Sequence, residues 1–289
     1  MKLSFSSNAY TRHSVFTAVE GIAAAGYEGV ELLADIPHLY PFSFGAKEVR
    51  QLQELLRHYG LAVANINANT AVGYYGRTFW EPLFEPSLAN PDQVARKWRI
   101  DYTKKCIELG HLLGAGTVSV TSGCMLPGIW PEQSLELLRE SLREIVSFAQ
   151  QYHIRIGIEY EPGLLISCVE ELVSFLGVFD SPLLGANLDL GHSHVLGEDH
   201  VEVISSLGEK IFHIHLEDIS RRKHYHLIPG QGDMDFSSIF TALAKQQYKG
   251  YITVELYTYS NTPDDAARRS FSYLQGLPFW SDREKKQCA

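Results

Sequence analysis

Short apolar runs alternate with longer amphipathic segments from one end of the chain to the other. The apolar runs are rich in valine, isoleucine and leucine, as is typical of parallel strands that are covered on both faces. They span residues 2–7, 27–33, 61–67, 117–121, 154–159, 183–188, 211–216 and 251–256. Segments with helical periodicity follow them at residues 14–25, 46–59, 92–113, 131–152, 169–179, 199–207, 236–246 and 262–275. The pattern therefore predicts eight strand–helix units.

Eight such units are the number that a closed (β/α)8 barrel requires, and 289 residues is an ordinary length for that fold. The alternative is an open, doubly wound parallel sheet, which usually carries a glycine-rich phosphate turn after its first strand. Here the first strand ends in Phe5-Ser6-Ser7-Asn8 instead. Because no linker or composition break divides the chain, we predict an α/β protein with one TIM-barrel domain over residues 1–289.

Composition and charge limit the kinds of molecule that the protein is expected to bind. The chain is 45% hydrophobic and 20% charged, as globular proteins are, and its net charge of −9 opposes binding to a phosphate polyanion. The N-terminal segment lacks the apolar run of a signal peptide. The longest uncharged stretch, residues 109–131, is interrupted by glycine and proline. We therefore expect a cytoplasmic protein with a small-molecule substrate, no nucleic-acid partner and no membrane association.

A long segment after the third strand, residues 68–91, is rich in aromatic side chains. It contains Tyr74, Tyr75, Phe79, Trp80 and Phe84. Two interpretations fit this composition equally well: a lid or apolar wall over a substrate, or an interface in a homo-oligomer.

Candidate chemistry lies at the carboxyl ends of the last four strands. Glu159 ends the fifth strand, Asp189 the sixth, His215 the seventh and Glu255 the eighth. In a barrel these ends share one rim, where active sites are found. A single glutamate at a strand end is more often an ion-pair partner than a ligand, so the prediction depends on all four together. His213 lies deeper in its strand and is expected to be a hydrogen-bonded layer residue.

Several carboxylates beside an imidazole in one cleft would repel one another as free anions, and a divalent cation removes that repulsion. Mixed oxygen and nitrogen ligands suit Mn²⁺, Mg²⁺, Co²⁺ or Zn²⁺. The strand ends therefore predict a metalloenzyme.

Six segments resemble the xylose isomerase-like barrel superfamily, which includes sugar 3-epimerases, hydroxypyruvate isomerase, inosose dehydratase and endonuclease IV. They read GYEGVEL, IGIEYEP, NLDLGH, IFHIHLED, HLIPGQGDMDF and ITVEL, and they extend over nearly the whole chain. The resemblance implies that Glu159, Asp189, His215 and Glu255 are metal ligands, and that the two glutamates also move protons.

The resemblance also implies several substrate contacts. His192 would contact the substrate, and Glu31 would lie near its far end. Arg222, His224 and His226 precede the PG-G motif, where basic residues of the superfamily touch substrate.

A further resemblance, to endonuclease IV alone, concerns a second metal ion. That enzyme holds additional zinc through a histidine after the sixth-strand aspartate and an Asp-x-His pair after the seventh strand. His192 and the pair His224 and His226 occupy corresponding places, so a second, histidine-rich metal position is one hypothesis. Three imidazoles would favour Zn²⁺. The alternative is that these histidines bind substrate hydroxyls or phosphate.

Together these features predict a divalent-metal-dependent isomerase or epimerase of a small, sugar-like substrate that is either free or phosphorylated. The reaction would remove a C–H proton next to a carbonyl, pass through an enediolate stabilised by the metal, and use Glu159 and Glu255 as the proton-transfer residues. The alternatives are a cyclitol dehydratase or lyase, an endonuclease IV-like phosphodiesterase, and a non-catalytic binding protein on a retained barrel.

Overall fold

The structure, a computed structural model, describes residues 1–77 and 83–280. Its strands are β1 (Lys2–Ser6), β2 (Gly29–Leu33), β3 (Ala62–Asn67), β4 (Thr117–Thr121), β5 (Arg155–Glu159), β6 (Leu184–Asp189), β7 (Ile211–Leu216), β8 (Asp218–Ser220), β9 (Lys223–Leu227) and β10 (Tyr251–Val254). Strands β1 to β7 and β10 close into a parallel barrel, in the order β1-β10-β7-β6-β5-β4-β3-β2. The predicted TIM barrel is confirmed.

The helices cover the outside of the barrel. They are α1 (Val15–Ala25), α2 (Ala46–Tyr59), α3 (Gln93–Leu113), α4 (Pro131–Gln150), α5 (Val169–Leu176), α6 (Leu190–Leu196), α7 (His200–Leu207), α8 (Phe236–Lys245) and α9 (Pro263–Gly276). Several begin at the side-chain caps that their sequences contain, such as Ser14 before α1 and Asp92 before α3. No helix in the described ranges has both the length and the apolar composition that crossing a membrane requires.

The barrel strands alternate between apolar and polar side chains, which differs from the continuous apolar runs that we predicted. In β1, Leu3 and Phe5 belong to the apolar core that the helices cover, whereas Ser4 and Ser6 are buried without belonging to it. Successive strand residues point to opposite faces, so the polar set faces the barrel interior. These buried groups bond to one another, as in the 2.9 Å contact between His213 Nε2 and Thr253 Oγ1. The expected layer role of His213 agrees with this contact.

Two elements near the barrel mouth were missed by the sequence analysis. The first is α6, a short helix that starts directly after β6. The second is the antiparallel hairpin of β8 and β9, which lies within a segment that we interpreted as a loop. Both were missed because α6 has only seven residues and the hairpin strands have three and five, too few for a periodic pattern.

The carboxylate of Asp218 organises the loop that follows the hairpin. Backbone N–H groups of Ile219, Gly230, Gly232 and Met234 donate to its two oxygens over 2.7–3.2 Å. The loop passes so close that a Cβ at position 232 would overlap the carbonyl oxygen of Ile219 and an oxygen of Asp218. The second glycine of the PG-G motif therefore serves this close approach.

We expect Gly232→Ala to lower the free energy of unfolding by about 2–3 kcal/mol, because the added methyl group displaces the backbone around Asp218. Gly116→Ala is the matched control, since a Cβ at position 116 meets nothing within 4 Å. The control should change stability by less than about 0.5 kcal/mol. Urea denaturation of both variants measures the difference, and equal midpoints would contradict the structural role of Gly232.

Candidate metal centre and substrate cavity

The structure brings together the four residues that the strand ends predict as ligands. Each of the four offers one ligand atom, and these atoms lie within 4.8 Å of one another in Glu159, Asp189, His215 and Glu255. All four residues are buried. Nδ1 of His215 is 3.2 Å from a Glu159 oxygen, 3.6 Å from a Glu255 oxygen and 4.0 Å from Oδ2 of Asp189.

These spacings fit a single divalent cation. Ligands about 2.1 Å from one ion lie about 3–4 Å from each other, which is the range observed around His215 Nδ1. Oδ2 of Asp189 is buried and has no hydrogen-bond donor among the described residues. A buried carboxylate oxygen without a donor is costly unless a cation compensates it. The residues present therefore fit a metal ion.

Glu31 fixes the orientation of the His215 ring from below the cluster. Nε2 of His215 is 2.7 Å from Oε2 of Glu31, and since a carboxylate only accepts, this nitrogen carries the proton. When the ring is neutral, Nδ1 therefore has its lone pair toward the cluster, the arrangement in which a carboxylate prepares a histidine for a metal.

The position of Glu31 corrects our expectation that it lies near the far end of the substrate. Its side chain is fully buried, and its oxygens accept hydrogen bonds from Ser6, Asn65 and Asn67 as well as from His215. It is absent from the lining of the cavity described below. Glu31 is a positioning residue because β2 places it inside the barrel, below the mouth.

The two glutamates of the cluster are each held by asparagine amides. The side chains of Asn69 and Asn187 donate to Oε2 of Glu159, the former over 2.8 Å. Those of Asn8 and Asn67 donate to Oε1 of Glu255 over 2.8 and 3.1 Å. Each glutamate thus keeps one oxygen without an amide donor. The sequence analysis missed these asparagines, although INAN at the end of the third strand stands at the same rim.

The ionisation of the cluster follows from burial and from like charges. Burial lowers the pKa of His215, but the carboxylates of Glu255, Glu31 and Glu159 raise it well above its usual value. Burial likewise raises the pKa of Glu255 well above its usual value. Without a cation, a protonated His215 ring is therefore favoured among these carboxylates.

A cavity of about 470 Å³ opens above the cluster. Glu159 and Glu255 line it, together with His192, His224 and His226. Apolar side chains line another part of it, namely Leu33, Ile36, Pro37, Val72, Phe84 and Tyr257, and further polar residues such as Thr11, Arg12 and Thr70 also face it. A concave site of this size that combines apolar side chains with convergent polar groups is typical of small-molecule binding.

The three predicted histidines face this cavity as a group. Their ring centroids are 4.9 Å apart for His192 and His224, 5.5 Å for His224 and His226, and 6.3 Å for His192 and His226. Nδ1 of His192 lies 2.9 Å from the Tyr160 carbonyl oxygen, to which it donates. Burial lowers the pKa of His192, but Asp189, Glu161 and Glu159 raise it to about 9. A protonated His192 presents its Nε2–H as a donor for a substrate oxygen.

Arg222 does not join this group, which corrects its predicted role. It sits in the turn between β8 and β9 with a φ of 55°, and its guanidinium packs against Gly197 at the end of α6. The turn directs it away from the cavity, whose lining does not include it. His224 and His226 face the cavity because they lie on β9, beyond the turn.

Among the aromatic side chains of residues 68–91 that the structure describes, Phe84 is the one that lines the cavity. Tyr74 instead packs edge-on against Trp98 of α3 at 4.8 Å and against Tyr75 at 5.2 Å. Phe79 and Trp80 lie outside the described residues. The predicted apolar wall thus has one member in place, and the homo-oligomer interface stays a prediction.

Residues 19–277 match the xylose isomerase-like TIM barrel family, and the chain belongs to that family. It is 24% identical to fructoselysine 3-epimerase of Shigella flexneri over 285 residues, which cover 96% of this chain and 98% of that enzyme. It is 25% identical to inosose dehydratase of Mesomycoplasma hyopneumoniae over 293 aligned residues, which cover 91% and 88%.

Two solved structures share the fold over almost their entire length. A D-tagatose 3-epimerase-like protein superposes with a TM-score of 0.81 at 24% identity, with 100% of both chains covered. The IOLI protein, solved with a bound zinc atom, superposes with a TM-score of 0.79 at 19% identity, with 98% of this chain and 99% of that chain covered. At 24% and 19% sequence identity, these superpositions show that the two proteins share the fold of this chain.

We expect Glu31→Gln to weaken Mn²⁺ binding by about 10–100-fold, because the His215 ring loses the carboxylate that orients it. Glu161→Gln is the control, since Glu161 lines the cavity but belongs to none of the possible ligand groups. Isothermal titration of the two variants and of the wild type measures the affinities. An unchanged affinity in Glu31→Gln would refute the positioning role.

Proposed function

We propose that this protein is a divalent-metal-dependent isomerase or epimerase of a small sugar or sugar-like substrate. The observation that carries the proposal is the position of Glu159 and Glu255 in the cavity lining, 3.2 and 3.6 Å from His215 Nδ1, each with one oxygen left without an amide donor. Membership of a family with an epimerase relative supports the same reaction class.

Glu159, Asp189, His215 and Glu255 would hold the ion. When bound, a divalent ion supplies Lewis-acid stabilisation of negative charge on substrate oxygens. The donor set of three carboxylates and one imidazole suits Mn²⁺, Mg²⁺, Co²⁺ or Zn²⁺.

Glu159 and Glu255 act as the proton-transfer pair. One carboxylate removes the proton from the carbon next to the carbonyl, and the other returns a proton to the resulting enediolate. The amides of Asn69 and Asn187 hold Glu159, and those of Asn8 and Asn67 hold Glu255, so neither side chain has to reorganise during the reaction.

Substrate hydroxyls or a phosphate would contact the three histidines that line the cavity. His192, His224 and His226 all line it, and His192 offers a charged donor there. Alternatively, the same three histidines bind a second metal ion. Anomalous diffraction from Mn²⁺-soaked crystals tests this role.

A cyclitol dehydratase is the second candidate, favoured by the inosose dehydratase relative, which the chain matches over most of its length. Dehydration begins with the same proton abstraction and continues with loss of a hydroxyl group, so the Glu159 and Glu255 pair serves both reactions.

We expect the enzyme, loaded with Mn²⁺, to exchange one substrate C–H proton for deuterium in D₂O. A panel of ketoses, fructosamines, inososes and their phosphates, followed by proton NMR, identifies the substrate class. New sugar stereoisomers indicate epimerisation or isomerisation, and a dehydrated product identifies the second candidate. Absence of both exchange and product across the panel would count against the proposal.

Glu159→Gln and Glu255→Gln should keep the fold and lower turnover by at least about 100-fold, because each removes a group that accepts and donates a proton. Glu136→Gln, an exposed change on α4, is the control and should retain wild-type turnover. Circular dichroism checks the fold of each variant. Wild-type rates in either glutamate variant would refute its assignment.

A further inference from the structure

A carboxylate outside the four-residue set is buried beside it. Glu217 directly follows β7, two residues after His215, and its side chain is fully buried. Neither of its oxygens has a hydrogen-bond donor among the described residues. Gly191 of α6 makes room for it, because a Cβ at position 191 would overlap Oε1 of Glu217. The fold thus accommodates a carboxylate and leaves it without donors.

Glu217 is directed toward two residues at the edge of the primary cluster. One ligand atom each from Asp189, Glu217 and His226 lies within 4.8 Å of the others, and Oε2 of Glu217 is 4.0 Å from Nδ1 of His226. Oδ2 of Asp189 likewise has no donor. Two adjacent buried carboxylates without donors carry a large desolvation and repulsion cost unless a proton or a cation is shared between them.

We propose that Asp189, Glu217 and His226 bind a second divalent cation next to the primary one, with Asp189 bridging the two ions. The inference rests on the proposed primary metal site, because Asp189 belongs to both ligand sets. Two ions about 3.5–4 Å apart are the usual spacing where a carboxylate bridges them. Two carboxylates and one imidazole suit Mn²⁺ or Zn²⁺.

Charge favours this position over the one that the three histidines define. His192, His224 and His226 bring no anionic ligand. Asp189 and Glu217 bring two carboxylates that lack donors. Because both arrangements include His226, one ion at this edge of the cluster excludes the other.

The competing explanation is a proton shared between the two carboxyl groups. Burial and the neighbouring charge of Asp189 raise the pKa of Glu217 well above its usual value, which is the condition for such sharing. A shared proton and a bound cation differ in the number of ions that the protein holds, so metal counting separates them.

The experiment loads the full-length protein with Mn²⁺, removes free metal by gel filtration and counts ions per chain. We expect two ions in the wild type and one in Glu217→Gln, whose amide keeps the size of the side chain and donates to Asp189. Glu161→Gln is the matched control, a cavity carboxylate outside the ligand groups, and should retain two ions. Anomalous diffraction from Mn²⁺-soaked wild-type crystals locates the ions without any substitution.

Anomalous peaks at the primary cluster and between Asp189, Glu217 and His226 support the proposal. A single peak at the primary cluster overturns it and leaves the proposed function intact. A second peak among His192, His224 and His226 also overturns it, in favour of the histidine-rich position. The absence of any peak at either position overturns both this proposal and the metal dependence of the proposed function.

Discussion

A protein interior tolerates a carboxylate only when donors or a positive charge surround it, and this barrel buries several of them within a few ångströms of one another. Most of the unusual features at the mouth follow from that constraint. Asparagine amides hold the two glutamates, His215 stands among the carboxylates, and Glu31 supports its ring from below. The remaining oxygens without donors, on Asp189 and Glu217, mark where a proton or a cation has to be shared.

The same constraint extends into the barrel. The side chains below the metal cluster are polar, whereas apolar interior layers are usual in this fold. Since Glu31 has to be satisfied inside the barrel, β1 and β3 supply Ser6, Asn65 and Asn67 as its partners. Apolar burial is shifted to the interface between strands and helices, where residues such as Leu3 and Phe5 belong to the core. The alternation of apolar and polar residues along the strands therefore places the apolar core under the helices and the polar side chains of the site inside the barrel.

The sequence was sufficient for the barrel and for the place where the chemistry converges. The barrel follows from the alternation of strands and helices along the whole chain. The site follows from the shared direction of the parallel strands, which brings Glu159, Asp189, His215 and Glu255 to one rim. What it missed depends on short-range three-dimensional detail. Helix α6 and the hairpin are too short to show a period, and the direction of Arg222 depends on a tight turn.

The hairpin of β8 and β9 reaches the cavity from a base that the carboxylate of Asp218 holds together. Asp218 gathers four backbone N–H groups at that base, while His224 and His226 lie on the strand that extends over the site. His226 is also bonded to Glu255 and Thr258 beyond β10, whereas His224 is not held in this way by any described residue. A change at His224 would therefore alter the group that meets the substrate while the base of the hairpin stays in place.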